Sequence, residues 1–430
     1  MSVETTQTLI IGAGQAGLAA SAQLTRLGLP HLVVERHRIA ERWRSERWDS
    51  LVANGPAWHD RFPILAFDDL APDAFAPRDR IVSYFEQVAQ KTAAPVRCGV
   101  AVSRVTRAAD GMFVVETSTG VIHAQNVIAA TGPFQKPLIP ALVPGSAGVM
   151  QVHSAGYRNP AQLPAGAVMV VGAGASGAQI ADELVQAGRK VYLSVGPHDR
   201  PPRAYRGHDF VWWLGALGQW DAKARTPGTE HITIAVSGAR GGHTVDFRDL
   251  AAKGIVLLGR AGACAGGVMQ FAPDLATNIA AGDRTYLAVL DRADAYAVEH
   301  GLDLPPEPAA RVLGADPDCI VNPVLSLDLA RAGVTSIVWA TGYMLDFSWL
   351  QVDAFDDKGR PKHDCGVTDV PGLYFLGLSW LSRRASPFIW GVWGDADHLA
   401  SHIAGRSGAQ GAVEMGIAAV DKQPLAGGMG

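Results

Sequence analysis

Apolar residues fall along this chain in short runs, each broken by turn residues, and one arrangement of runs occurs twice. Thr8 to Ile11 and Val168 to Val171 are unbroken runs of apolar and β-branched residues, as strands buried on both faces are. Each leads through a glycine-rich turn into a helix-length stretch that stops at a glycine, Gly28 or Gly188, and then into a second apolar run. Residues 8–35 and 166–195 therefore read as two βαβ units. Helical spacing recurs over 80–91. Short β-rich runs at Val96 to Thr106, Gly111 to Thr117 and Val121 to Ala124 alternate with turns such as Asp110-Gly111, the pattern of a small antiparallel meander. Asn126 to Ala129, Ser336 to Trp339 and Leu373 to Leu376 read as further strands, and Asp395 to Ile403 as a closing helix. Arg42 to Arg61, rich in Trp and Arg, has no clean period and reads as loop and short helix near a ligand. From the aromatic stretch Phe210 to Trp220 onward to about Asn322 the chain reads as irregular.

The turns inside the two βαβ units carry the chemistry. Gly12-Ala13-Gly14-Gln15-Ala16-Gly17 and Gly172-Ala173-Gly174-Ala175-Ser176-Gly177 both match G-x-G-x-x-G, each between a strand and a helix. The chain holds 48 glycines, so about half an occurrence is expected by chance, and the strand–turn–helix context is what gives the match weight. In that context the first glycine permits the turn, the second lets the backbone approach a pyrophosphate, and the third packs helix on strand. The helix N-terminus then favours the anion. Overlaying the copies puts Glu35 at the end of the first unit and Val195 at the same place in the second. A carboxylate there accepts hydrogen bonds from ribose hydroxyls and repels a 2′-phosphate. The asymmetry predicts one FAD site and one NADPH site.

The predicted fold class is α/β: two Rossmann-like dinucleotide-binding domains, the NADPH domain inserted into the FAD domain, with a small antiparallel β meander. The boundaries read as 1–155 and 326–405 for the FAD domain, 156–325 for the NADPH domain, and 406–430 as a mobile tail rich in Gly and Ala. A length of 430 residues, with 48% hydrophobic and 18% charged residues, suits two globular cores. A net charge of −4 gives no reason to invoke nucleic acid or an anionic membrane. Without a basic leader or a long unbroken apolar run, a cytoplasmic location is expected. The four cysteines, Cys98, Cys264, Cys319 and Cys365, form no C-x-x-C and no Cys/His cluster with metal-ligand spacing. No metal site is expected, and the redox-active cysteine pair that disulfide reductases of this plan place beside the flavin is missing.

With Trp43-Arg44, Asn54-Gly55-Pro56, Ala340-Thr341-Gly342-Tyr343 and Leu373-Tyr374-Phe375-Leu376-Gly377 added to the fingerprints, the chain resembles the flavin-dependent monooxygenases of the two-dinucleotide type. That group includes microsomal-type flavin monooxygenases, bacterial trimethylamine monooxygenases and Baeyer–Villiger relatives. The resemblance runs from about Thr8 to Gly405. One family mark departs from its usual form. Gly148 and His153 stand one residue too far apart, Ser146 holds the place of a phenylalanine, and Tyr157 closes the pattern. A divergent bacterial branch fits that departure.

The resemblance implies a cycle in which NADPH reduces FAD and a flavin C4a-hydroperoxide, formed with molecular oxygen as co-substrate, oxygenates a small nitrogen- or sulfur-containing substrate or a ketone. The alternatives are an FAD-dependent NADPH reductase or oxidase without oxygen transfer, and a flavin-binding protein without turnover. Asn54 is the expected catalytic residue, by its match to the Asn-Gly-Pro segment of trimethylamine-type relatives; the competing reading is a plain turn. Expected cofactor contacts are Gly12, Gly14, Gln15, Ala16, Gly17, Glu35, Arg36, Trp43, Thr131, Gly132 and Gly377 for one site, with Gly172, Gly174, Ser176, Gly177 and Thr341 for the other. Arg200 and Arg203, near the end of the second unit with Lys190, are expected to meet the 2′-phosphate, unless they belong to a solvated basic loop. Trp43 and Trp48 are flavin walls or core residues. Trp212, Trp213 and Trp220 shape a substrate tunnel, a dimer contact or a core. The expected partner is a small-molecule substrate, with a homodimer as an option.

Overall fold

The computed structural model of the protein describes residues 3–223 and 233–406. Among these, a seven-stranded sheet and a five-stranded sheet form the two halves of the fold. The first runs, edge to edge, through Val96–Cys98, His31–Glu35, Val3–Ile11, Gly120–Ala129, Phe113–Thr117 and Val102–Arg107, with Leu373–Phe375 paired in parallel to the end of Gly120–Ala129. Its central positions, among them Leu9, Ile10 and Val33, are fully buried. The helices Gln15–Arg26, Arg78–Lys91 and Val392–Arg406 cover it, as both-face burial of parallel strands requires.

Gly120–Ala129 shows how sequence sets pairing. Its first half alternates buried and more exposed positions and pairs antiparallel with Phe113–Thr117, the meander expected from the β-rich runs. Its end, residues 127–129, is apolar and buried and pairs in parallel on both sides, with Val3–Ile11 and Leu373–Phe375. One strand therefore serves a one-faced ribbon and a two-faced sheet.

The second sheet is parallel throughout, in the order Val256–Leu258, Val191–Ser194, Ala167–Val171, Val334–Trp339, Met150–His153. This shifts the expected domain limits. Met150–His153 and Val334–Trp339 belong to the second sheet, so the crossings lie at residues 130–149 and 340–372 rather than at 155 and 325. The crossing segments pair with each other, Lys136–Pro137 against Tyr343–Met344, and His153 holds the Gly342 carbonyl with Nε2 at 2.9 Å. The tail assigned to 406–430 lies, from 407 on, outside the described residues.

The region read as irregular contains a 25-residue helix, Leu275–Glu299. Its buried positions do recur every three or four residues, but Asn278, Gly282 and Asp283 interrupt the apolar stripe. Among the described residues no helix is long and apolar enough to cross a membrane.

Candidate functional site

The two fingerprints repeat one steric arrangement. A β-carbon on Gly12, whose φ is +109°, would lie 2.8 Å from the Ala130 carbonyl oxygen, and one on Gly172 would run into that of Ala340. Each Ala-Thr-Gly element thus lies directly over the first glycine of its own fingerprint. A β-carbon on Gly17 or Gly177 would drive into the carbonyl oxygen of Gly12 or Gly172, which fixes both third glycines as helix–strand contacts. Gly14 and Gly174 are the N-caps of the following helices, and neither supplies a side chain to the first-turn N–H groups. Those donors remain for an anion.

Both turns open on one cavity of about 1310 Å³, larger than the usual range for one drug-sized ligand. Gly12, Gly14, Gln15, Ala16, Glu35, Arg36, Trp43, Thr131, Gly132 and Gly377 line its first side; Gly172, Gly174, Ser176 and Thr341 line the second, and Asn54 also lies on the wall. Gly17 and Gly177 stand behind it. A β-carbon on Gly14 would meet nothing within 4 Å, so this turn is an open cradle. Glu35 accepts from Ala13 N with Oε2 and from His37 N with Oε1, both at 2.9 Å. The carboxylate is thus fixed at the cavity edge. An acid there, an uncapped helix start and an open glycine cradle fit the adenosine and pyrophosphate of FAD. The threonines do less than expected: Thr131 Oγ1 accepts from Gln135, and Thr341 Oγ1 donates to the Leu138 carbonyl.

Asn54 is exposed on the cavity wall. Gln179, from the helix of the second fingerprint, donates to its Oδ1 at 3.0 Å and to the Val236 carbonyl at 2.7 Å. That leaves the Asn54 amide N–H groups as donors, oriented by a residue of the other half. Gln179 carried no motif in the sequence; only the turn of helix between Ser176 and it brings it to this wall. Trp43 lines the cavity while packing against both cores, and Trp48, buried in the second core, also reaches the wall. Trp213 is core, and of the three tryptophans in that run Trp220 is the one that lines the cavity, together with Phe210.

The structure buries Arg200 and Arg203 and commits both to carboxylates. Arg200 is 3% exposed; its Nε and Nη2 donate to Asp283 at 2.9 and 2.7 Å, and Nη1 faces Asp246 at 3.3 Å. Arg203, also buried, donates to Asp209 and to the Asn54 carbonyl, at 2.5 and 2.7 Å. Neither lines the cavity. Lys190 stands at the start of Val191–Ser194, away from the strand's carboxyl end. The basic group at that end is Arg260, from the neighbouring strand's exit. It lines the cavity against Gly196, with an exposed side chain whose Nε donates to Asp274 at 3.0 Å. Burial alone would raise the Asp283 carboxyl, but the hydrogen bonds from Arg248 and Arg200 outweigh it and hold the group below the usual carboxylate range.

His59 and Asp60 were not signalled by any motif, yet both line the cavity. His59 Nδ1 lies 2.7 Å from Asp60 Oδ1, and Asp60 Oδ2 accepts from Gly55 N at 3.0 Å. Among the described residues no cysteine lines the cavity, and no group of His, Cys, Asp and Glu could hold a metal.

The family pattern described as pyridine nucleotide–disulphide oxidoreductase matches residues 9–206. Over 400 residues the chain is 34% identical to an uncharacterized oxidoreductase, CzcO-like, of Geobacillus kaustophilus, covering 92% of this chain and 97% of that protein. A flavin-containing monooxygenase from Stenotrophomonas maltophilia superposes with a TM-score of 0.65 at 20% identity, over 94% of this chain and 99% of its own. A bacillithiol disulfide reductase from Bacillus cereus superposes at 0.61 and 18%, over 94% and 100%. These two solved structures share the fold, which hosts both chemistries.

Proposed function

The chain belongs to the CzcO-like oxidoreductases, of the flavin monooxygenase type with two dinucleotide-binding domains, and from that premise we propose that it uses NADPH and FAD to transfer an oxygen atom of dioxygen to a small amine, sulfide or ketone. The observation that carries this reading is the shared cavity: both fingerprints, both Ala-Thr-Gly elements and Asn54 line it, so that one cofactor can reach the other. A flavin held by the first fingerprint would supply the redox chemistry of hydride acceptance and oxygen transfer.

The protein's own part is binding, orientation and exclusion of water. The first helix start and Glu35 hold the FAD pyrophosphate and ribose; the second helix start and Ser176 hold the pyrophosphate of NADPH. Asn54 donates from its amide to the developing charge on oxygen, and Gln179 keeps that amide in one orientation. Phe210, Leu214 and Phe388 supply apolar wall against water. A dithiol route has no thiol in the cavity to use.

The test is a mass balance. Purified protein carries flavin, NADPH bleaches it without oxygen, and in air the oxygenated product matches the NADPH consumed. Hydrogen peroxide in place of product, across amines, sulfides and ketones, would reduce the protein to an oxidase. In Asn54→Ala the product rate falls by on the order of 100-fold while NADPH consumption continues as peroxide. Unchanged coupling demotes Asn54 to a turn residue.

The coenzyme preference rests on Arg260. Its Nη groups are the guanidinium donors left at the end of Val191–Ser194, where Val195 replaces an acid. In Arg260→Gln the Michaelis constant for NADPH rises about 10- to 100-fold, the worth of a charge-assisted hydrogen bond, and that for NADH barely moves. Equal shifts for both coenzymes overturn the assignment.

A further inference from the structure

The wall of the cavity away from the fingerprints is aromatic, and its polar feature is the His59–Asp60 pair. Trp220 stacks on the imidazole with centroids 5.3 Å apart, while Trp58 and Trp390 meet it edge-on at 5.4 and 5.3 Å. Phe388 packs on Trp220 at 5.0 Å. The pair is built into the chain by one tight turn: His59 N and Asp60 N both donate to the Pro56 carbonyl at 2.9 Å. Gly55 completes it, since a β-carbon there would collide with the Asp60 carboxylate. The turn that presents Asn54 therefore also presents this dyad.

Two features of the pair are unresolved by its surroundings. A carboxylate only accepts, so His59 donates from Nδ1 at 2.7 Å, and in the neutral imidazole Nε2 then carries the lone pair. That Nε2 is buried and has no hydrogen-bond partner among the described residues, a costly state for a polar atom. The second is charge. Asp60 is buried, and among the described residues its only basic partner is His59. Two arginines stand near this wall, and neither pairs with Asp60. Arg383 pairs with Asp221 at 2.6 Å and lies over Trp390, and Arg384 lines the same cavity without an ion pair to Asp60. A buried anion without a fixed cation calls for a mobile one.

We propose that His59 is the catalytic base of this site and that the substrate is an amine, which enters as its ammonium. The proposal rests on the monooxygenase reading above. The ammonium binds against Trp220, whose ring face attracts cations, with Asp60 as counter-charge. Its N–H bond then breaks toward His59 Nε2: the proton and its charge pass to the imidazole, and the N–H electron pair remains on nitrogen as the nucleophilic lone pair. Asp60, the positioning residue, stabilises the imidazolium. The dyad plus substrate is neutral before and after, so the transfer creates no net charge in a dry cavity. A sulfide or a ketone needs no such step, which is what singles out amines.

The test uses flavin-loaded protein with two probes of similar shape, benzylamine and benzyl methyl sulfide. In His59→Gln, kcat/KM for benzylamine near neutral pH falls about 100-fold relative to that for the sulfide, and the ratio recovers as pH approaches the amine's own pKa. In Asp60→Asn, calorimetric binding of benzylamine to the oxidised protein weakens at least about tenfold relative to that of the sulfide, as loss of a close charge pair implies. Equal losses for both probes, or no recovery at high pH, overturn the proposal. So does wild-type protein that binds benzylamine no more tightly than the sulfide. Selective benzylamine binding, lost in Asp60→Asn, with all NADPH going to peroxide supports the dyad as an amine site and sinks oxygen transfer instead.

Discussion

Gly17→Ala is expected to yield a colourless protein, whereas Gly177→Ala is expected to yield a yellow one that NADPH no longer bleaches. Both substitutions add one methyl group at the same point of the repeated unit, and in both it is forced into a backbone carbonyl, of Gly12 or Gly172. A carbonyl in a tight turn cannot rotate aside as a side chain can. The helix behind the turn must therefore retreat, Gln15–Arg26 in one case and Ala175–Gln186 in the other. Overpacking of this kind costs about 1–3 kcal/mol, and it moves the N–H groups that face the pyrophosphate. Gly14→Ala separates the two consequences. Its added methyl touches no protein atom and projects into the open cradle, so this variant keeps the wild-type melting temperature and still loses flavin. Absorbance of the purified variants, with a thermal melt, reads all three. Flavin retained at wild-type occupancy in Gly17→Ala would mean that the first turn is not the cofactor cradle.

The fold was legible where chemistry is local. The fingerprints, their preceding strands and the contrast between Glu35 and Val195 could be read because each lies within one βαβ unit. The limits of the halves could not, because Met150–His153 and Val334–Trp339 join a sheet whose other members are far along the chain. The basic site failed for a related reason. Asn278, Gly282 and Asp283, which broke the stripe of Leu275–Glu299, are the residues that receive the loop after Val191–Ser194. Asn278 donates to the Val195 carbonyl at 3.1 Å, Gly282 leaves room for His198, and Asp283 binds Arg200. The polar face that hid the helix is the face that consumes the arginine. Nothing local to Arg200 reveals a carboxylate some eighty residues later, and nothing local to Arg260 marks it as the exposed alternative. His59 escaped because its aromatic neighbours Trp220 and Trp390 come from distant segments.

Asp283→Ala is expected to destabilise the protein by about 3–5 kcal/mol, because it strands buried guanidinium charge. Asp283 accepts from Arg200 at 2.7 and 2.9 Å and from Arg248 at 2.8 and 3.1 Å. Arg200 keeps only Asp246 at 3.3 Å once that carboxylate is gone, and its guanidinium stays buried over the Tyr286 ring. The same interaction has a pH signature with a definite sign. The carboxyl of Asp283 is held below its unfolded value, which is about 3.9. Its contribution is therefore fully present above that value and is lost as acid takes the pH down through the folded pKa. Denaturation followed from neutral pH into acid thus shows a steeper loss of stability in wild type than in Asp283→Ala. Arg200→Ala decides between structure and ligand. A structural arginine lowers the midpoint of unfolding and leaves the NADPH-to-NADH ratio of Michaelis constants alone. A phosphate ligand would do the reverse, raising the NADPH constant in a protein that melts as before. Its burial among Asp283, Asp246 and Tyr286 commits Arg200 to the first outcome, and the opposite result would return coenzyme selection from Arg260 to Arg200.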